Sequence, residues 1–164
     1  MRPALLRASF LGLFTIAVSL DMEKAHAGSP DAASALAGRP IEFVENRGQF
    51  APDARFVVDG GALRIAVTAD GFRIALGATD VRVTFDGANA AYAIVADDAS
   101  PTARHWRVGP RERWLTDVAA FRALTLRDVY PGVDVRVHGA GSALEYDFVV
   151  APGADASRIA VRID

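Results

Sequence analysis

Val133-Asp134-Val135-Arg136-Val137-His138 and, after a short run of small residues, Leu144-Glu145-Tyr146-Asp147-Phe148-Val149-Val150 place apolar and polar residues in alternation. Period two is the signature of a strand with one buried and one wet face. Two such runs joined by Gly139-Ala140-Gly141-Ser142 read as an antiparallel hairpin. The apolar phases must share a face, which restricts the register. One allowed register sets Asp134 opposite Asp147, two like charges. The next sets Arg136 opposite Asp147 and His138 opposite Glu145, with Asp134 against Val149. Opposed charges across a ladder contribute about 0.2–1 kcal/mol, with the sign set by the pair. The second register is therefore expected, with residues 140–143 as its loop.

The same pattern extends in both directions. Upstream, Pro131-Gly132 turns the chain, and residues 121–127 place Arg122, Leu124 and Leu126 in one phase. Downstream, Pro152-Gly153 turns it again ahead of Ile159, Val161 and Ile163. Further upstream, Leu63, Ile65 and Val67 precede Asp70-Gly71, a strong hairpin signal. Phe72, Ile74 and Leu76 follow, then Val81, Val83 and Phe85 closed by Asp86-Gly87. Tyr92, Ile94 and Ala96 make a weaker strand ahead of an Asp97-Asp98 turn. Only residues 111–120, around Trp114, leave room for a turn of helix. Turn signals every 8–12 residues with half-buried strands between them define an all-β fold, an antiparallel β-sandwich or partly open barrel of short strands. Its core is expected to hold Leu63, Ile65, Val67, Phe72, Ile74, Val83, Phe85, Val133, Val135, Tyr146, Phe148 and Val161.

Composition narrows the function classes. The chain has 164 residues, with 18 basic and 20 acidic side chains and a net charge of −2. That balance offers no basic surface large enough for a nucleic-acid backbone, so no nucleic-acid partner is expected. The absence of cysteine removes disulfides, thiolate zinc sites, thiol catalysis and an acylated lipoprotein cysteine. At the N-terminus, Arg2 and Arg7 precede an apolar run over residues 8–20, and Ala25-His26-Ala27 is a small-x-small cleavage site. Residues 1–27 read as a secretory signal peptide, because Asp21, Glu23 and Lys24 cut the run short of a membrane span. The expected product is exported, secreted or at the cell surface, with the periplasm also allowed. It has no membrane attachment once the signal is cleaved. Residues 28–40 are small and polar, a flexible linker to a β-module over residues 41–164. Lys24 is the only lysine, so every basic residue of the mature chain is arginine, which we attribute to genomic composition.

Candidate chemistry is sparse. Glu145 and Asp147 lie two apart on one strand and share a face, as the paired carboxylates of glycosidases and cation sites do. A strand with one wet face carries the same pattern. His105 and His138 have no partner at metal-ligand spacing, and Ser142 lacks the spacing of a nucleophile elbow. No catalytic residue, metal ligand or cofactor is expected. Asn46-Arg47-Gly48-Gln49 reads as a turn, with Gly48 supplying a permissive backbone and Asn46 and Gln49 able to satisfy backbone groups at a sheet corner. Trp106, Trp114 and Tyr130 are either a sugar-stacking platform or core and rim packing.

Two stretches carry a family resemblance. One is Phe43-Val44-Glu45-Asn46-Arg47-Gly48-Gln49. The other is Asp128-Val129-Tyr130-Pro131-Gly132-Val133-Asp134-Val135, continued by Leu144-Glu145-Tyr146-Asp147-Phe148 and by Pro152-Gly153-Ala154-Asp155. Together with Trp114 they resemble the uncharacterised N-terminal module that precedes SBBP-type β-propeller repeats in large exported bacterial proteins. The resemblance spans residues 41–164. It departs locally at Arg104-His105-Trp106-Arg107-Val108 and at Ala156. It implies a module truncated at its C-terminal end and followed by further domains of the same polypeptide. It carries over no enzymatic activity. The expected function is a non-enzymatic structural or interaction module. The alternative is a carbohydrate-binding or carbohydrate-cleaving domain, acting through Trp106, Trp114, Glu145 and Asp147.

Overall fold

The computed structural model describes residues 15–19, 40–60, 63–76, 78–140 and 143–164. The described residues form β1 (Thr15–Ser19), β2 (Phe43–Glu45), β3 (Phe56–Asp59), β4 (Leu63–Val67), β5 (Gly71–Leu76), β6 (Thr79–Phe85), β7 (Ala93–Ala99), β8 (Arg104–Trp106), β9 (Leu115–Val118), β10 (Ala120–Tyr130), β11 (Val133–Ala140), β12 (Ala143–Val150) and β13 (Val161–Ile163). Two short 3₁₀ turns, Arg111–Arg113 and Ala156–Arg158, are the only helical elements among them. The expected leader, residues 1–27, falls outside the described residues except for β1, as does the linker except for Pro40.

Every described pairing is antiparallel. One large sheet runs β1-β12-β11-β10-β2-β3-β4-β5-β6-β13, with β7 beside β10. β8 and β9 form a separate two-stranded sheet. The large sheet curls into a half-barrel. Its curl is visible in one aromatic cluster. Phe72 of β5 and Phe85 of β6 pack on Tyr146 and Phe148 of β12, with ring centroids 5.7 Å apart for Phe72–Tyr146 and for Phe85–Phe148. These strands are distant in sheet order, so only a sheet folded over its own inner face brings them together. All twelve expected core residues are buried. Period-two sequence thus fixed the phase of each strand, because a slip of one residue would turn its apolar set to water.

The β11–β12 register is the expected one: Arg136 faces Asp147, His138 faces Glu145 and Asp134 faces Val149. Its loop is shorter than expected. The ladder continues to Ala140 opposite Ala143, so these two residues pair instead of belonging to the loop. Only Gly141 and Ser142 remain between them, and both lie outside the described residues. Asp97 and Asp98 form no turn. β7 runs through both, with Asp98 at φ 54° and Asp97 accepting a 2.6 Å hydrogen bond from Thr125 Oγ1. Aspartate enters the left-handed region at low cost, so the strand continues through Asp98 and the β7–β10 register is the same on either side of it. Opposite it, Arg122 is exposed, out of the expected phase with Leu124 and Leu126. β3 escaped the period-two reading because Val57 and Val58 are both buried, one after the other.

Candidate functional site

The segments behind the family resemblance are corners of this scaffold. Asn46 organises the loop after β2. Its Nδ2 donates to the carbonyls of Ala51 and Ala54, each at 2.8 Å, and its Oδ1 accepts from the N–H groups of Gly48 and Phe50. Gln49 Nε2 donates to the Glu45 carbonyl at 2.7 Å while Gln49 Oε1 accepts from Arg47 N–H. The Glu45 carboxylate meets Arg47 Nε at 2.9 Å. Gly48 sits at φ +104°, a value that a β-carbon disfavours.

The Asp128 to Asp134 stretch is a bulged hairpin corner. The β10–β11 register shifts between Leu126 and Tyr130, and Asp128 takes φ 53°. Asp134 holds the bulge: Oδ1 accepts from Asp128 N–H at 2.8 Å and Oδ2 from Arg127 Nη1 at 2.9 Å. Pro131 and Gly132 turn the chain, and Tyr130 is buried with its hydroxyl 2.9 Å from the Ala160 carbonyl. After the Pro152-Gly153 turn, Asp155 caps the second 3₁₀ turn through Ser157. The Ser157 hydrogen bonds hold the Asp155 carboxyl below the usual carboxylate range.

Glu145 and Asp147 share the outer face of β12, as the alternation required. Asp147 Oδ2 lies 3.0 Å from His138 Nε2, a diagonal contact that the opposed-pair reasoning did not foresee. A shallow pocket of about 290 Å³ lies between Pro40, Glu42, Asp59, Gly60 and Arg104. Its Glu42 carboxylate is already bound, by Ser100 Oγ at 2.6 Å and by Arg104. Among the described residues, no three His, Cys, Asp or Glu side chains gather as a metal site, and no helix is long and apolar enough to cross a membrane.

The sugar-platform alternative required Trp106, Trp114 and Tyr130 on one surface, and the fold separates them. Tyr130 belongs to the main core, 2% exposed. Trp106 packs edge-on against Phe50 at 5.5 Å, beside a small second core of Val44, Val118 and Ala120. Trp114 alone stands at the surface, 37% exposed.

Trp114 sits in a hairpin tip where the sequence pointed to a turn of helix and to the aromatic itself, but not to the strand pair that carries them. β8 and β9 pair with a register shift, and residues 107–114 connect them. The tip closes on itself: Pro110 leads into the Arg111–Arg113 turn, and Trp114 Nε1 donates to the Gly109 carbonyl at 3.1 Å. The guanidinium carbons of Arg107 and Arg111 each lie 5.8 Å from the Trp114 ring centroid. Both are within cation–π range. Val108 beside them is 76% exposed. Residues 104–114 contain four arginines against one glutamate in a chain of net charge −2. Of the four, Arg104 is paired with Glu42, while Arg107, Arg111 and Arg113 form no ion pair among the described residues. Chemically, the tip offers planar cations held beside an aromatic ring. That arrangement suits bidentate recognition of carboxylate, sulfate or phosphate.

Fold and site define an all-β domain with well-built corners, a closed core and one cationic aromatic hairpin projecting from it. The chain belongs to the family described as Domain of unknown function (DUF7948), which it matches over residues 43–164. No curated protein matches it, and no solved structure does.

Proposed function

We propose that this domain is a non-enzymatic interaction module of an exported multidomain protein, and that it meets its partner through the Arg107, Arg111 and Trp114 tip. The observation that carries the reading is the fate of the residues behind the resemblance. Asn46, Gln49 and Asp134 bind backbone, Tyr130 and Tyr146 fill the core, and the Pro-Gly pairs turn the chain. Trp114 is the large side chain of that set left exposed, and it is flanked by cations that have no acidic partner among the described residues. The N-terminal sequence supports export, and the resemblance supports a position ahead of SBBP-type repeats.

The same contacts favour one form of the carbohydrate alternative. Guanidinium groups against the Trp114 ring compete with stacking of a neutral sugar, whereas they attract an acidic one. The test is titration of the full chain with a polyuronate and with neutral dextran, read by tryptophan fluorescence. Saturable, salt-sensitive quenching by the polyuronate alone, lost in R107A/R111A, supports an anion-binding tip. Equal response to dextran, or binding that survives the double variant, refutes it. Glycan hydrolysis in a broad glycosidase panel, abolished by Glu145→Gln, would overturn the non-enzymatic reading.

A further inference from the structure

Sheet edges template the pairing of further strands unless something blunts them. β13 is three residues long and carries Arg162, paired with Asp86 and Asp164. β7 carries Asp97 and Asp98, the second of them in the left-handed region. β12 is neither short nor kinked by a left-handed residue, and its charges, Glu145 and Asp147, are confined to its outer face. It runs eight residues without proline, glycine, lysine or arginine, and pairs with β11 at every position without a shift. Its inner face, Leu144, Tyr146, Phe148 and Val150, is part of the main core.

On the outer side of this strand lies β1, in a five-residue antiparallel register. The register sets Ile16 against Phe148 and Val18 against Tyr146, both inner-face residues. Thr15, Ala17 and Ser19 stand against the outer-face residues Val149, Asp147 and Glu145. The alternation of this segment therefore matches that of β12. A second copy of β12 is a poorer occupant. The two fullest registers that keep the inner faces together set Glu145 against Asp147, or Asp147 against its own counterpart. Like charges directly opposed are unfavourable.

We infer that the outer edge of β12 is a strand-acceptor site. Its occupant is an extended segment with apolar residues at alternate positions and small uncharged residues between them; Thr15–Ser19 fills it in the uncleaved chain, and removal of residues 1–27 as a signal would vacate it. The site works by β-augmentation: main-chain hydrogen bonds hold the incoming strand, and its alternate side chains choose the register. The inference does not rest on the function proposed for the hairpin tip.

Hydrogen exchange on the full chain tests it. Ile16→Asp with Val18→Asp should speed exchange in residues 143–150 by about tenfold or more, with residues 63–76 unchanged. Ala17→Pro, which removes a backbone donor from the added strand, should act in the same direction. A synthetic peptide of residues 13–21, added to the double variant, should restore the protection. Unchanged exchange in β12, or a rise spread equally over all strands, overturns the site. Protection retained in the variants together with a doubled solution mass makes a second copy the occupant and overturns the assignment to Thr15–Ser19.

Discussion

The hydroxyl of Tyr130 donates to the carbonyl of Ala160 at 2.9 Å and accepts from the N–H of the same residue at 3.3 Å. The Asp86 carbonyl lies a further 3.1 Å from it. One phenol thus ties the β10–β11 corner to the approach to β13 and to the turn after β6. Tyr130→Phe keeps the ring and strands these backbone groups. We expect a loss of about 1–3 kcal/mol, read as a lower urea midpoint with an unchanged slope.

Asn46 satisfies four backbone groups with one side chain. Asn46→Ala should cost about 2–3 kcal/mol in chemical denaturation. Asn46→Asp should not rescue it, because an oxygen replacing Nδ2 would face two carbonyl oxygens. An aspartate variant as stable as the parent would show that the Ala51 and Ala54 contacts contribute nothing.

Gly139 leaves room for Ile41. A β-carbon built on Gly139 would lie 2.8 Å from Ile41 Cβ. Gly139→Ala should therefore destabilise by about 1–3 kcal/mol, as overpacking does. Ile41→Ala, harmful alone, should make the second substitution less costly in a double-mutant cycle. Strict additivity would separate the two sites.

Burial pushes the Tyr92 and Tyr146 hydroxyls up to about 12, and nearby Asp70 adds to the rise at Tyr92. Unfolded tyrosine ionises near pH 10, so the unfolded chain releases these protons first. The contribution of each is complete below pH 10 and disappears as pH rises through 12, on the order of 2 kcal/mol apiece. Thermal melts at pH 9, 10.5 and 11.5 should show a steep loss across the last two. Tyr92→Phe should flatten it.

The close contact to Asp147 comes from His138, although Arg136 stands directly opposite. His138→Ala should lower stability more than Arg136→Ala, by about 1 kcal/mol for the part-buried His138–Asp147 contact and by less for the exposed Arg136. The reverse order in urea melts would return the pair to the opposed-charge account.

Most of the half-barrel was legible because its strands bury one face. Leu63 through Val67 and Val133 through Val137 alternate without a break, and alternation is all that such a strand must satisfy. Legibility ended where this condition did. Val57 and Val58 are covered on both faces. β8 and β9 pack on a separate small cluster and alternate poorly. Asp97-Asp98 reads as a turn from local preference, yet β7 passes through it. The candidate site was less legible still. Trp114 was visible as a residue of interest, but its arginine neighbours were set aside as composition. Charge density confined to residues 104–114 in an otherwise acidic chain was the signal available.

The main core contains no side chain from residues 104–118; the hairpin rests on its own cluster around Val44, Val118 and Ala120. Sequence drift at the tip is therefore uncoupled from the folding of the half-barrel. Loop length and charge there are free to be retuned for a new partner, so ligand preference in this architecture can diversify while the scaffold stays fixed.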